Sequence, residues 1–293
     1  MEYIGIQKQI RSNNRKSIVL LFLFPLILII LGLILTGSPQ VAFLFLCGSA
    51  IWFVFAYFQH TNMIERATAS EPMSRSQQPR VYNLLENICI SQGMPMPKLN
   101  IIDDMSLNAF ASGINENTFT ITLSRGIIEK LNDEELEGVL AHELSHIINR
   151  DVRLLMISIV FVGIFSFIAQ SAQYSRFFSG RSNDGKSNLP VILMAIGASI
   201  LAFFIARLLH FAISRKREYL ADAGAAEITK KPYALASALR KISEDPYIEA
   251  VTRKDVAQLF MHNPLIAETS FFGNLFSTHP PIEKRIELLE QFV

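Results

Sequence analysis

The sequence predicts a mostly α-helical protein with a small β-sheet, an α+β domain tied to a multi-pass membrane part. Three observations predict it. Of 293 residues, 50% are hydrophobic and only 18% charged, against ~25% charged in an ordinary soluble domain. Apolar runs long enough to cross a bilayer alternate with polar segments. Within the polar segments the hydrophobic period switches between 2 and 3.6 residues. A net charge of +1 excludes the basic field that a nucleic-acid partner needs. Cys47 sits in an apolar run and Cys89 in a polar segment, so no disulfide framework is implied.

Residues 1–16 form a basic N-terminal segment with Lys8, Arg11, Arg15 and Lys16. Residues 17–37 carry no charge, and a helix needs ~20 apolar residues to span ~30 Å of hydrocarbon. Residues 41–58 are a second such run. With only Ser38-Pro39-Gln40 between them, 17–58 reads as a transmembrane hairpin, retained rather than cleaved. A second hydrophobic hairpin is expected over 154–213, from runs 154–170 and 189–213. The first of these is short, and its plainer reading is a buried core helix. Lys and Arg favour the cytoplasmic side. The N-terminus, 59–153 and 214–293 are therefore expected inside, with Arg215, Lys216 and Arg217 opening the last segment. Loop 171–188, placed outside, carries Arg176, Arg181 and Lys186 and fits that rule less well.

The water-side segments follow in order. Residues 59–80 read as a polar linker leaving the membrane. Ser74-Arg75-Ser76-Gln77 has capping-box spacing, and an amphipathic helix is expected after it. Val81, Leu84, Leu85 and Ile88 face inward, and Gly93, Pro95 and Pro97 end the helix. Lys98–Ile102 and Thr118–Leu123 read as strands, with Asn108–Gly113 extended or irregular, giving a sheet of two or three strands. A helix starts near 132 with Asp133 as its N-cap.

That helix contains His142-Glu143-Leu144-Ser145-His146. Residues four apart share one helix face, so both imidazoles reach one Zn²⁺. Glu143, ~100° round the helix, faces a water on the ion. This is the metalloprotease arrangement of two ligands and a base. A catalytic zinc site takes three protein ligands plus water. Glu218 supplies the third, and Asp222, one turn on, accepts from the free N–H of a ligand histidine. The plainer reading of the last two is a helix start with surface acids. The flanks Asn132–Glu137 and Asn149–Arg153 are polar, so the site is expected at the cytoplasmic face and outside the bilayer.

The stretches AHELSHIINRD (141–151), SRKREYLADAGAA (214–226) and FSTHPPIEKRI (276–286) resemble the HtpX family of membrane zinc endopeptidases, grouped with the CAAX prenyl proteases among the gluzincins. NAFASG (108–113) and the hairpin at 17–58 are similar too. The resemblance implies a gluzincin-like zinc protease domain on the cytoplasmic side of a bacterial inner membrane. It implies His142, His146 and Glu218 as ligands of one Zn²⁺, Glu143 as general base and Asp222 as the carboxylate behind a ligand. It implies His279 as the histidine that steadies the oxyanion, Arg285 as a bracing arginine, and Asn108 and Ala109 as the edge that pairs with substrate. His279 precedes two prolines and reads otherwise as a helix start. The implied partners are the lipid bilayer and unfolded or membrane protein substrates, in membrane quality control and the stress response. A CAAX-type prenyl protease and a metal-binding adaptor without activity are the alternatives. His60, His210 and His262 receive no role.

Overall fold

Two long helices open the chain and lie against each other, α1 (Ile6–Thr36) and α2 (Pro39–Thr68). The computed structural model describes residues 6–36, 38–159, 215–245, 248, 259–261 and 280–292. Residues 160–170 of the third apolar run, loop 171–188 and run 189–213 lie outside them, as do His210, His262 and His279. α1 is continuous through Pro25 and takes in the basic segment from Ile6 onward. α2 continues ten residues beyond the apolar run, so 59–68 is helix where a linker was expected. His60, Ile64 and Thr68 are buried there, and this buried face is why the helix persists past the apolar residues. The helix stops at Ala69, in the left-handed conformation with φ 52°.

Other side chains of the pair point outward: Phe22 is 76% exposed, Phe58 74% and Ile51 72%. Among the described residues, no helix is long and apolar enough to cross a membrane.

The sheet has four strands where two or three were expected. β1 (Ser70–Pro72), β2 (Lys98–Ile102), β3 (Ala109–Ser112) and β4 (Thr120–Ser124) stand in the order β1-β2-β4-β3. β1 is antiparallel to β2, β2 parallel to β4, and β3 antiparallel to β4. β1 and β3 are therefore the edge strands. Between β1 and β2 comes α3 (Pro79–Gln92), which buries Val81, Leu85, Ile88 and Cys89, with Leu84 half-buried. Its N-cap is Gln78. The Ser74–Gln77 pair closes a turn ahead of the helix instead, Ser74 N–H donating to Gln77 Oε1 at 3.0 Å. Pro79 at the first helical position explains the offset, because its missing N–H costs nothing there.

After the short α4 (Arg125–Lys130) comes α5 (Asp133–Ile148), the central helix. Its cap is Asn132, one residue earlier than expected. Asn132 Oδ1 accepts from Glu135 N–H, and Glu135 Oε2 accepts from Asn132 N–H, both at 2.9 Å. Glu135 also accepts from Ser237 and Lys241 on α8 (Pro232–Glu244), which with α7 (Arg215–Thr229) packs on α5. Two glycines permit this close packing. A Cβ on Gly138 would meet Leu235 main chain at 3.2 Å, and one on Gly224 would meet Ser145 Oγ at 2.7 Å. A further helix, α6 (151–159), follows α5 across the turn at Arg150, which has φ 60°. Val152, Leu154, Met156, Ile157 and Ile159 are buried in it. α9 (Ile282–Glu290) closes on α7 and α8 and buries Ile282, Arg285 and Leu289.

Candidate metal centre

His142 and His146 project from one face of α5 and meet Glu218 from the first turn of α7. Their three ligand atoms lie within 4.8 Å of one another. The Nε2 atoms of the two imidazoles are 3.2 Å apart. Glu218 Oε2 is 3.8 Å from His142 Nε2, and Glu218 Oε1 is 3.6 Å from His146 Nε2. A tetrahedral ion with ~2.0–2.1 Å bonds sets its ligands about 3.3 Å apart, so this donor set fits a divalent metal.

The electrostatics agree. Burial pushes His142 down to about 4, which keeps it neutral, as a ligand must be. Burial opposes charge on His146 too, but Asp151 and Glu218 outweigh it and raise the group to about 9. The cluster thus favours positive charge at the spot the three donors surround, and a metal held there would take the place of that proton. Glu143 is 2% exposed. Burial pushes its carboxyl up to about 7, helped by nearby Glu218 and opposed by His146 and by a main-chain hydrogen bond from Ala111.

Behind the ligands stands a buried ionic layer. His142 Nδ1 lies 3.0 Å from Asp222 Oδ1. Arg285 on α9 grips Asp222 with both edges of its fork, Nε donating to Oδ2 at 2.8 Å and Nη2 to Oδ1 at 2.7 Å. Its Nη1 is 3.5 Å from Glu218 Oε2. Burial raises the cost of the Asp222 charge, yet Arg285 holds its carboxyl below the usual range. Arginine suits this place because its planar donors match a carboxylate bidentately.

His146 has a support that the sequence reading missed. Asp151 Oδ2 lies 3.3 Å from its Nδ1. Asp151 follows His146 by five residues, but only the left-handed turn at Arg150 brings it back, and nothing in the local pattern announces that turn. Arg217 Nη1 stands 3.6 Å from Asp151, and Asn13 of α1 donates to it at 2.6 Å.

The β3 edge strand runs beside Glu143. Asn108 is fully buried, and its carbonyl accepts from Ser124 N–H at 3.0 Å. The Ala109 carbonyl points away from β4 and accepts from Met261 N–H at 2.8 Å. Phe260 packs beside it on Phe110, ring centroids 4.6 Å apart. Ala111, two residues on, faces the Glu143 carboxylate, and the sequence reading had not singled it out. His60 is buried in α2, its Nδ1 2.6 Å from the Tyr57 carbonyl, and is not part of the ligand cluster.

A family model described as Peptidase family M48 matches residues 75–293. A Protease HtpX homolog of Bacteroides fragilis (strain YCH46) is 53% identical, with all of both chains covered. Others are a homolog in Dictyoglomus thermophilum, 38% identical over 99% of this chain and 95% of its own, and one in Lactobacillus helveticus, 36% identical over 98% and 99%. The crystal structure of S. mikatae Ste24p aligns with a TM-score of 0.52 at 18% identity, over 96% of this chain and 66% of that one. At that identity the likeness concerns the fold alone. Full-length identity of this order, together with the family match over residues 75–293, shows that the chain belongs to peptidase family M48, among the HtpX proteases.

Proposed function

We propose that the chain is a zinc-dependent endopeptidase held in the cytoplasmic membrane, hydrolysing peptide bonds of unfolded or membrane proteins. The observation that carries it is one cluster: buried His142 and Glu218 and half-buried His146 with their donor atoms within 4.8 Å, and buried Glu143 beside them. His142, His146 and Glu218 would hold Zn²⁺, since two imidazoles and one carboxylate are a donor set that catalytic zinc sites use. When bound, it supplies Lewis acidity that lowers the pKa of a water ligand towards ~7.

The chain's own residues do the rest. Glu143 takes a proton from the attacking water and returns it to the leaving amine. A carboxyl pushed up to about 7 suits both transfers, since a shuttling group works best near the operating pH. Asp222 holds the His142 ring by its Nδ1 side, and Arg285 keeps Asp222 ionised. The main chain of Asn108 and Ala109 is already bonded within the protein, so an extended substrate pairs with the β3 edge from Ala111 onward, and this leads its scissile bond to Glu143. His279 donates to the oxyanion, a contribution of roughly 2.7–4 kcal/mol in related acyl transfers.

Support for the membrane reading comes from the uncharged stretch 17–36 inside α1 and from the outward apolar side chains of α1 and α2. An exposed apolar band of this extent calls for lipid or protein. Basic residues at the start of α1 support an active site on the cytoplasmic side.

The test compares wild type with Glu143→Gln, purified metal-free in detergent, on casein before and after Zn²⁺ addition. Wild type gains activity that a chelator abolishes, and Glu143→Gln binds zinc without turnover. Turnover by the variant with metal bound refutes the role of Glu143. Truncating His279 lowers kcat at unchanged zinc content, and an unaltered kcat removes it from the reaction.

A further inference from the structure

Asn13 of α1 is a fully buried polar residue. Its single amide nitrogen donates twice, to the Asn149 carbonyl at 2.8 Å and to Asp151 Oδ1 at 2.6 Å. Both partners are acceptors, so their chemistry decides which end of the amide faces them. The other end, Oδ1, has no partner among the described residues. The side chain is held for its donors.

Those donors bridge the two ends of one turn. Asn149 caps α5, Arg150 takes φ 60°, and Asp151 opens α6. An arginine in the left-handed region is a strained choice, and it persists only if the surroundings hold it. Asn13 holds it from both sides, and the turn sets where the Asp151 carboxylate points. The other oxygen of that carboxylate lies 3.3 Å from Nδ1 of His146. Arg217 also faces Asp151, but at 3.6 Å it is an ion-pair neighbour outside hydrogen-bond reach. The geometry points to Asn13 as a positioning residue of the metal centre. Through Asp151 it fixes the ring orientation of His146, so the N-terminal helix, 136 residues away in sequence from the turn it grips, is part of the metal site. This rests on the metal reading above.

Outer-shell partners of a ligand histidine typically change metal affinity 10–100-fold. The experiment measures Zn²⁺ affinity by chelator competition on the full chain in detergent, for Asn13→Ala, Asn13→Asp, Asp151→Ala and the Asn13→Ala/Asp151→Ala double variant. Asn13→Ala weakens binding about tenfold. Asn13→Asp has the same size and sets an acceptor against the Asp151 carboxylate, so it weakens binding at least as much without leaving a cavity. In the Asp151→Ala background, Asn13→Ala changes affinity less than about twofold, because the route is already cut. Unchanged affinity in both Asn13 variants overturns the proposal. So does an equal loss with and without Asp151, which marks a packing effect. Failure of wild type itself to bind zinc refutes the metal centre, and is thereby told apart from failure of Asn13 alone.

Discussion

Replacing Arg285 with leucine tests the buried ionic layer behind the ligands. Arg285 is 1% exposed and makes two hydrogen bonds to Asp222, at 2.8 and 2.7 Å. Asp222 is 4% exposed, and its other partner among the described residues is His142 Nδ1 at 3.0 Å. The variant strands a carboxylate that neither water nor a cation reaches. Breaking one side of a buried pair costs about 3–5 kcal/mol. At ~2–4 °C per kcal/mol for a domain of this size, thermal unfolding of the metal-free protein falls by roughly 6–20 °C. Adding Asp222→Asn removes the stranded charge, and an amide oxygen still accepts from His142. The double variant therefore recovers at least half the loss and binds zinc more tightly than Arg285→Leu alone. The assay is melting followed by circular dichroism in detergent, with chelator competition for affinity. A single variant melting within 2 °C of wild type refutes the reasoning, as does a double variant no more stable than the single.

Three further outcomes follow from the same packing. Burial works against charge on Glu135, but Lys241, Ser237 and the Asn132 N–H outweigh it and hold its carboxyl below the usual value. A depressed folded pKa adds stability above the unfolded value of ~4.3, lost as pH falls through the folded one. Glu135→Gln thus lowers stability at pH 7 by about 0.5–2 kcal/mol, as loss of a cap does, and flattens the acid limb of the unfolding profile below ~4.3. An acid limb identical to wild type refutes it. Gly224→Ala drives a methyl to 2.7 Å from Ser145 Oγ. It parts α7 from α5, costs about 1–3 kcal/mol and weakens zinc binding by displacing Glu218; wild-type affinity counts against that coupling. Burial, then Glu86, pushes the Cys89 thiol up to about 11. A raised folded pKa gives stability that is whole below the unfolded value of ~8.5 and declines as pH rises towards about 11. Native protein should also resist alkylation at Cys89 at pH 8 until denatured, and equal rates in the two states would contradict the burial argument.

What the sequence discloses and what it hides divide by range. The α5 helix is legible because its capping residues, its apolar period and its two histidines all lie within one short window. β2 is legible for the same reason, its bounds being those of the KLNII run. β1 is not: three residues ending in proline carry no strand pattern, and they are a strand only because β2 offers them an edge. Residues 59–68 read as linker because their polarity is plain locally, while the face that buries Ile64 and Thr68 belongs to the tertiary structure. The metal site divides in the same way. Ligands four residues apart advertise themselves. Asp151 is hidden by a left-handed turn, and Asn13 by the whole length of the intervening chain. Periodicity reports how a segment meets its own neighbours, whereas a lone buried amide serves a partner far along the sequence and leaves no pattern of its own. The supports of a ligand are therefore the last part of such a site to be read, and here they tie α1 and α9 to the same two histidines from opposite ends of the chain.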